Sequence, residues 1–355
     1  MLATWEEFQQ QRRSVFYPKA DLPLPREVFL ELTKQVPVLS EPVIADLCRC
    51  SLRQEVREVT PLSEPGTFHQ LWRVRLASGR CVVFRANALP ERWRDYPLLM
   101  DEAVAQKLQE HNIPALSVLH VDLSRKNCDT DYAILDEAIG VPLSHWDSDE
   151  ARMQPLLREL GKFLAQVHQI RIGGYGLMNT LPHLAGAHDS WVDYVHLNLS
   201  RHIQHCVGLG VMNENVARRI AGVFEDGTKH LISTPHALLH GDPGSHNVFV
   251  DDGEVTCLID WEDALVGDPV YEIAFWATFH PERRHAAFLE GYRTVADLPD
   301  DFELRFWLYF LRVSLAKTVV RDRLGLKDKP GREPAARRVL KGLERLEALT
   351  QPLAA

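Results

Sequence analysis

The segment from His240 to Glu272 combines nine carboxylates with no Lys or Arg. Within it, Asp252-Gly253 separates two runs rich in β-forming residues, which is typical of a two-residue hairpin turn. A hairpin centred on that pair brings Asn247 and Asp260 to the same open end, and Asp242 lies on the loop that enters it. Two carboxylates and an amide oxygen then converge, and hard oxygen ligands of this kind suit Mg²⁺.

Such a hairpin places residue 247 opposite residue 258, and Asp260 follows the apolar run Cys257–Ile259. A carboxylate at the end of a buried strand tends to face a site. The alternative is a surface hairpin with solvated Asp side chains, because turns are rich in Asp for conformational reasons alone. The position of Asp260 favours the metal site.

The elements around this segment predict an α+β fold with two lobes. Residues 56–139 are rich in β-forming runs, with one helix over residues 98–111 and a hairpin turn near Ser78-Gly79 that places Arg85 opposite Trp72. After Gly140 helical patterns dominate, and the one clear β signal is 248–259. We therefore predict a helical extension at 1–50, a small sheet lobe at 51–139 and a larger helical lobe at 140–355. Ligands commonly bind in the crevice between such lobes.

The combined motif is His-x-Asp-x-x-x-x-Asn, then Ile-Asp-Trp-Glu after the hairpin, then Gly267-Asp268-Pro269. It resembles the aminoglycoside phosphotransferase family, over about residues 55–322. The resemblance implies a bilobal, protein-kinase-like fold that binds nucleotide in the lobe at 51–139 and acceptor in the lobe at 140–355. It also implies that Asp242 is the catalytic aspartate, that Asn247 and Asp260 bind Mg²⁺, and that ATP or GTP is the phosphoryl donor.

The family's nucleotide site has further counterparts in this chain. The family places a Lys at the end of a strand and an acid in the following helix, and here Arg85 ends one strand while Glu102 lies in the next helix. The resemblance therefore implies an Arg85–Glu102 ion pair at the nucleotide phosphates. In this pair the planar guanidinium of Arg85 replaces the compact ammonium group of the family's Lys. The loop at 63–68, which contains Gly66, is the candidate cover for the phosphates.

The run Tyr132–Gly140 resembles the family's strand into the hinge between the lobes. The backbone of about Asp136 to Ala138 is then expected to contact the purine edge. Four residues are candidate acceptor contacts, an acid in a position where the family often has one and three aromatic side chains able to stack on a sugar: Glu272, Trp191, Tyr194 and Trp276. The alternative for the aromatic residues is that they anchor the core.

Composition bears on partners and compartment. The chain of 355 residues has a net charge of −9, which argues against nucleic acid as a main partner. Residues 141–300 hold 22 acidic and 11 basic side chains, which favours a cationic acceptor. No signal peptide or membrane-spanning run is visible, and six scattered Cys make no disulfide framework. We expect a cytoplasmic monomer or homodimer that does not bind membranes.

The leading functional interpretation is an ATP- and Mg²⁺-dependent O-phosphotransferase that acts on a small hydroxylated molecule, with an aminoglycoside-like antibiotic as the first candidate acceptor. One alternative is a metabolic kinase for an amino sugar, a choline-like alcohol or a homoserine-like acceptor. Another is a non-catalytic nucleotide-binding pseudokinase. The presence of Asp242, Asn247 and Asp260 together speaks against that last alternative.

Overall fold

The computed structural model describes residues 12–21, 39–62, 69–87, 97–180, 183–232, 234–326 and 333–350. These residues form a small sheet lobe followed by a larger, mainly helical lobe, each with its own cluster of buried apolar side chains. The predicted α+β, two-lobed arrangement is therefore confirmed. The candidate phosphate-covering loop at 63–68, with Gly66, lies outside the described residues.

The N-terminal lobe is built on a five-stranded antiparallel sheet with the strand order β1-β2-β3-β5-β4. In chain order, the elements up to residue 136 are α1 (Pro18–Asp21), α2 (Glu41–Leu52), β1 (Val56–Pro61), β2 (His69–Leu76), β3 (Cys81–Asn87), α3 (Pro97–Glu110), β4 (Val118–Asp122) and β5 (Tyr132–Asp136).

The C-terminal lobe combines helices with two small sheets, ordered β11-β10-β6 and β8-β7-β12-β9. Its elements are β6 (Val141–Pro142), α4 (Glu150–Val167), β7 (Tyr175–Asn179), β8 (Ala185–His188), α5 (Trp191–His196), α6 (Leu199–Gly208), α7 (Glu214–Gly227), β9 (Ala237–Leu239), β10 (Val248–Asp251), β11 (Glu254–Leu258), β12 (Leu265–Gly267), α8 (Pro269–Ala277), α9 (His285–Tyr292), α10 (Phe302–Arg323) and α11 (Ala335–Thr350).

Both predicted hairpins form, each with a register that differs by one residue from the prediction. The turn between β2 and β3, residues 77–80, contains Gly79 with a φ of 89°, and it pairs the strands so that Leu71 and not Trp72 lies opposite Arg85. The β10–β11 turn has the expected two residues, but a bulge between Phe249 and Val250 makes Val248 the partner of Leu258.

Two further differences in the C-terminal lobe concern short elements. Within the helical pattern predicted after Gly140, Asn198 adopts a left-handed conformation, with φ 58°, and separates two short helices, α5 and α6. The strands β7, β8, β9 and β12 were not predicted. They have three to five residues each and are mostly buried, so they carry little of the alternation that identifies a strand in sequence.

The described part of the predicted N-terminal extension packs against both lobes. Phe16 is buried in the C-terminal lobe, where the Arg312 guanidinium lies 3.4 Å from the centroid of its ring and the Tyr194 hydroxyl donates to its carbonyl oxygen at 2.7 Å. In α2, the buried Ile44 and Cys48 belong to the core of the N-terminal lobe. The described residues of the extension are thus integral to the two lobes.

Among the described residues, none of the helices combines the length and apolar character needed to cross a bilayer.

Candidate active site

The loop that follows β9 is held in place by a buried carboxylate. Glu272 in α8 accepts the backbone N–H groups of His240 at 2.9 Å and Gly241 at 2.8 Å, and it also accepts the Nε2–H of His168 at 3.0 Å. Burial alone would raise the pKa of Glu272, but the hydrogen bond from His168 and the backbone N–H of His240 bring it below its ordinary value of 4.5. Glu272 therefore braces the loop as an anion.

His240 connects this loop to the hairpin. Its Nδ1 accepts the backbone N–H of Asp242 at 3.2 Å, so the opposite nitrogen, Nε2, donates to the Ile259 carbonyl at 2.9 Å. Gly241 has a φ of 85°, and a Cβ atom there would lie 2.0 Å from the carbonyl oxygen of Asp263. Only glycine fits both demands. The loop and the residues around Asp260 are thus locked together.

Asp242 and Asn247 are joined within the loop. The side-chain amide of Asn247 donates to the Asp242 carbonyl at 3.0 Å, which leaves its Oδ1 as the group able to bind a cation. The Asp242 carboxylate is 13% exposed, and the His246 Nε2 lies 4.0 Å from it. The predicted catalytic aspartate is therefore partly exposed, and the predicted metal ligand, which lines the cavity between the lobes, follows it on the same loop.

Asp260 lies just after the hairpin and has an uncommon backbone conformation. Its φ of 68° and ψ of 57° are left-handed, a region that Asp tolerates better than most residues. The Ile259 N–H donates to the Asn247 carbonyl at 2.9 Å, so the expected neighbourhood of Asn247 and Asp260 is present despite the shifted register. A carboxylate and an amide oxygen at this spot form a donor set that fits Mg²⁺.

Arg85 is the cation of the site, and its partner in α3 is Asp101. The guanidinium of Arg85 lies 2.6 Å from Asp101, 2.9 Å from Asp260 and 3.0 Å from Glu262. Burial alone would lower the pKa of Arg85, but the charges of these three carboxylates raise it above its ordinary value. Arg85 is therefore a permanent cation at the junction of the lobes.

The predicted Arg85–Glu102 ion pair is wrong. Consecutive helical residues point about 100° apart, so only one of these two neighbouring acids faces the strand. Asp101 is that residue: it is 5% exposed, and its second oxygen accepts the Trp261 N–H at 2.9 Å. Glu102 is only half-buried on the next face of the helix.

A cavity of about 630 Å³ opens between the lobes at this point. Arg85, Asn247 and Asp260 line one end of it. Asp136 and Ala138 border the other end, as expected for the hinge, and the Asp136 carboxylate is paired with Arg80. The walls between the ends are apolar and suit a flat heterocycle: Leu71, Val83, Val118, Leu135, Phe249 and Leu258.

The four candidate acceptor contacts are core residues, which contradicts the prediction. Trp191 donates to the Tyr309 hydroxyl at 2.8 Å, Tyr194 is bonded to the carbonyl of Phe16, and Glu272 binds the loop described above. The Trp276 ring stacks on Phe288 with centroids 4.0 Å apart. Each of the four is 2% exposed or less. The three aromatic residues were predicted to contact the acceptor, but they are core residues, as the alternative reading of the sequence expected.

Two residues that the sequence analysis did not single out complete the site. The His69 Nε2 lies 2.6 Å from a Glu262 oxygen, and both side chains line the cavity. Ligand-type atoms of His69, Asp260 and Glu262 all lie within 4.8 Å of one another. Glu262 was visible in the Ile-Asp-Trp-Glu motif, whereas no sequence signal marked His69.

Comparisons with known proteins identify the family of the chain. Residues 59–307 match the model of a family described as the phosphotransferase enzyme family. Hygromycin-B 4-O-kinase of Escherichia coli is 27% identical over 223 residues, which are 58% of this chain and 62% of the relative. The match thus spans less than two thirds of that curated relative.

Solved structures show the same fold. One is a thermostable mutant of aminoglycoside phosphotransferase APH(4)-Ia in a ternary complex with AMP-PNP and hygromycin B, with a TM-score of 0.63 and 21% identity over 85% of this chain and 98% of the other. Another is macrolide 2'-phosphotransferase MphH from Brachybacterium faecium, with a TM-score of 0.54 and 16% identity over 88% and 99%. The predicted fold and the predicted family are confirmed.

Proposed function

Because the chain belongs to the phosphotransferase enzyme family, we propose that it transfers the γ-phosphoryl group of ATP, with Mg²⁺, to a hydroxyl of a small molecule. The observation that carries this proposal is the convergence of Asn247, Asp260 and Arg85 at one end of the cavity between the lobes. Phosphoryl transfer needs positioning and charge neutralisation more than covalent help, and these residues supply both.

Each residue then has a distinct role. Asp260 and the Oδ1 of Asn247 hold Mg²⁺, which neutralises phosphate charge when it is bound. Arg85 contacts the phosphates from the N-terminal lobe, while the apolar walls and the backbone of Asp136–Ala138 hold the purine. Asp242 orients the acceptor hydroxyl and takes its proton at the carboxylate. The Glu272–His240 network keeps Asp242 and Asn247 at a fixed separation.

For the acceptor, we infer a cationic, aminoglycoside-like molecule. The relative from Escherichia coli is a kinase of hygromycin B, and a similar solved structure contains hygromycin B. The excess of acidic residues at 141–300 supports the same substrate charge. An amino sugar or a choline-like alcohol is the alternative. The cytoplasmic location and the monomeric or homodimeric state stay predictions.

The test is an assay of Mg²⁺-dependent ATP consumption with a panel of acceptors: hygromycin B, other aminoglycosides, amino sugars, choline and homoserine. Mass spectrometry identifies the phosphorylated product, and Asp242→Asn is the matched inactive control. Acceptor-dependent turnover with a cationic amino sugar as the best substrate supports the proposal. A neutral or anionic acceptor as the best substrate contradicts the acceptor class and leaves the kinase chemistry intact. Mg-nucleotide binding without turnover on any acceptor supports the pseudokinase alternative instead.

A further inference from the structure

Two donors of the N-terminal lobe point at a single oxygen. The Nε2 of His69 lies 2.6 Å from the Oε2 of Glu262, and the Nη2 of Arg85 lies 3.0 Å from the same Oε2. His69 and Glu262 side chains are only 11% and 13% exposed. The lobe therefore presents a two-donor cradle for one anionic oxygen, and a carboxylate oxygen occupies it in the structure.

The backbone explains why these two donors meet. His69 is the first residue of β2 and shares a face with Leu71, two residues on. Leu71 lies directly opposite Arg85 in β3, so the His69, Leu71 and Arg85 side chains project from the same side of the sheet. All three line the cavity between the lobes. His69 thus stands beside Arg85 at the end of the cavity that holds Asn247 and Asp260.

The charge balance around Arg85 favours a second hydrogen-bond donor for a bound phosphate. Three carboxylates lie within 3.0 Å of Arg85, from Asp101, Asp260 and Glu262. A single guanidinium does not balance three negative charges, so Arg85 alone leaves this end of the cavity unattractive to a polyphosphate. An imidazole N–H aimed at the same Glu262 oxygen adds a second donor at this end of the cavity.

We propose that His69 is a second phosphate-binding residue of the N-terminal lobe, which together with Arg85 holds a nucleotide phosphate oxygen where the Glu262 oxygen now lies. The proposal rests on the proposed nucleotide site and adds a residue to it. A phosphate oxygen offers the same acceptor geometry as a carboxylate oxygen, and N–H bonds to either are charge-assisted. Since His69 contacts only phosphate in this role, it contributes nothing to recognition of the nucleoside.

The experiment is calorimetric titration of the full chain with two probes, Mg-AMP-PNP and adenosine. Hydrogen bonds to charged groups are worth about 1.5–3 kcal/mol, so His69→Ala is expected to weaken Mg-AMP-PNP binding by about tenfold or more. Adenosine affinity is expected to stay the same. His69→Gln keeps an N–H donor and should recover part of the loss. His111→Ala, which removes an exposed His just after α3, is the matched control and should change neither affinity.

A competing explanation is that His69 only stabilises Glu262. The same titration in a Glu262→Gln background separates the two. Phosphate binding by His69 predicts that His69→Ala still weakens Mg-AMP-PNP binding in this background, whereas a purely structural pair predicts no further loss. If His69→Ala leaves Mg-AMP-PNP affinity unchanged, or lowers adenosine affinity equally, the inference about His69 is wrong while the proposed function stands. A wild-type chain that binds no Mg-AMP-PNP overturns the proposed function along with it.

Discussion

Glu272 accepts the backbone N–H of His240 at 2.9 Å, and this bond joins helix α8 to the loop that carries the candidate catalytic aspartate. The same carboxylate is buried and bonded to His168, whose other ring nitrogen lies 2.9 Å from the Tyr292 hydroxyl. An acid that was predicted from the sequence to contact the acceptor is thus the anchor of the candidate catalytic loop.

Glu272→Gln should destabilise the fold and the loop together. The amide can accept through only one oxygen, and its NH₂ group then faces a buried backbone donor, so we expect a loss of about 2–4 kcal/mol in the free energy of unfolding. Urea unfolding measures it. Glu344→Gln, at an exposed position of α11, is the control and should stay within about 0.5 kcal/mol of the wild type.

The stability that Glu272 contributes should depend on pH in the acid range. Its pKa is lower in the folded chain than its ordinary value of 4.5, so the contribution is fully present above pH 4.5 and is lost as the pH falls through the folded pKa. The difference in unfolding free energy between wild type and Glu272→Gln should therefore shrink below about pH 4.5. A difference that grows on acidification would show that Glu272 is bound in its neutral form.

Asp101 and Glu102 should respond very differently to loss of charge. Asp101→Asn leaves the buried Arg85 without its nearest carboxylate partner, 2.6 Å away, and should cost about 2–4 kcal/mol of stability and weaken Mg-AMP-PNP binding. Glu102→Gln, one residue along the helix, should stay within about 0.5 kcal/mol. Paired thermal melts and titrations check this, and the reverse order would restore the original sequence prediction.

Asp242→Asn should separate chemistry from binding. A positioned base contributes about 10²–10⁴-fold, so kcat should fall by that factor. Nucleotide affinity should hardly change, because the bond that positions Asn247 uses the backbone carbonyl of Asp242 and survives the substitution. Parallel kinetics and calorimetry test this. Loss of Mg-AMP-PNP binding in the variant would assign Asp242 to bracing the loop, and full activity would remove it from the catalytic centre.

Asp260→Asn should abolish the metal dependence of nucleotide binding while the fold survives. Asn tolerates the left-handed conformation that Asp260 adopts, with φ 68°, so backbone strain does not confound the loss of charge. We expect AMP-PNP affinity to become insensitive to Mg²⁺ concentration and turnover to fall below detection. Mg²⁺ titrations at constant nucleotide measure this, with unchanged far-UV circular dichroism as the check on folding. A wild-type response to Mg²⁺ would exclude Asp260 as a ligand.

Local pattern predicted the centre of the site, because Asn247 and Asp260 are joined by a hairpin whose turn, Asp252-Gly253, has the positive φ values of 46° and 84° typical of its sequence. The same reasoning failed by one residue in register, since a bulge leaves little trace in sequence. It could not decide which of two adjacent acids faces Arg85, because that depends on how α3 is rotated against the sheet. Nor could it tell a buried Trp276 from one in a cleft.

The packing of Phe16 against Tyr194 and Arg312 has a consequence for biosynthesis. The segment around Phe16 is synthesised well before its partners, the last of which lies in α10. Until that helix has emerged, the core that buries Val15, Phe16 and Tyr17 in the finished protein is incomplete. The C-terminal lobe therefore completes its core only after α10 has been made, and the nascent chain carries an apolar segment with an unfinished binding site until then.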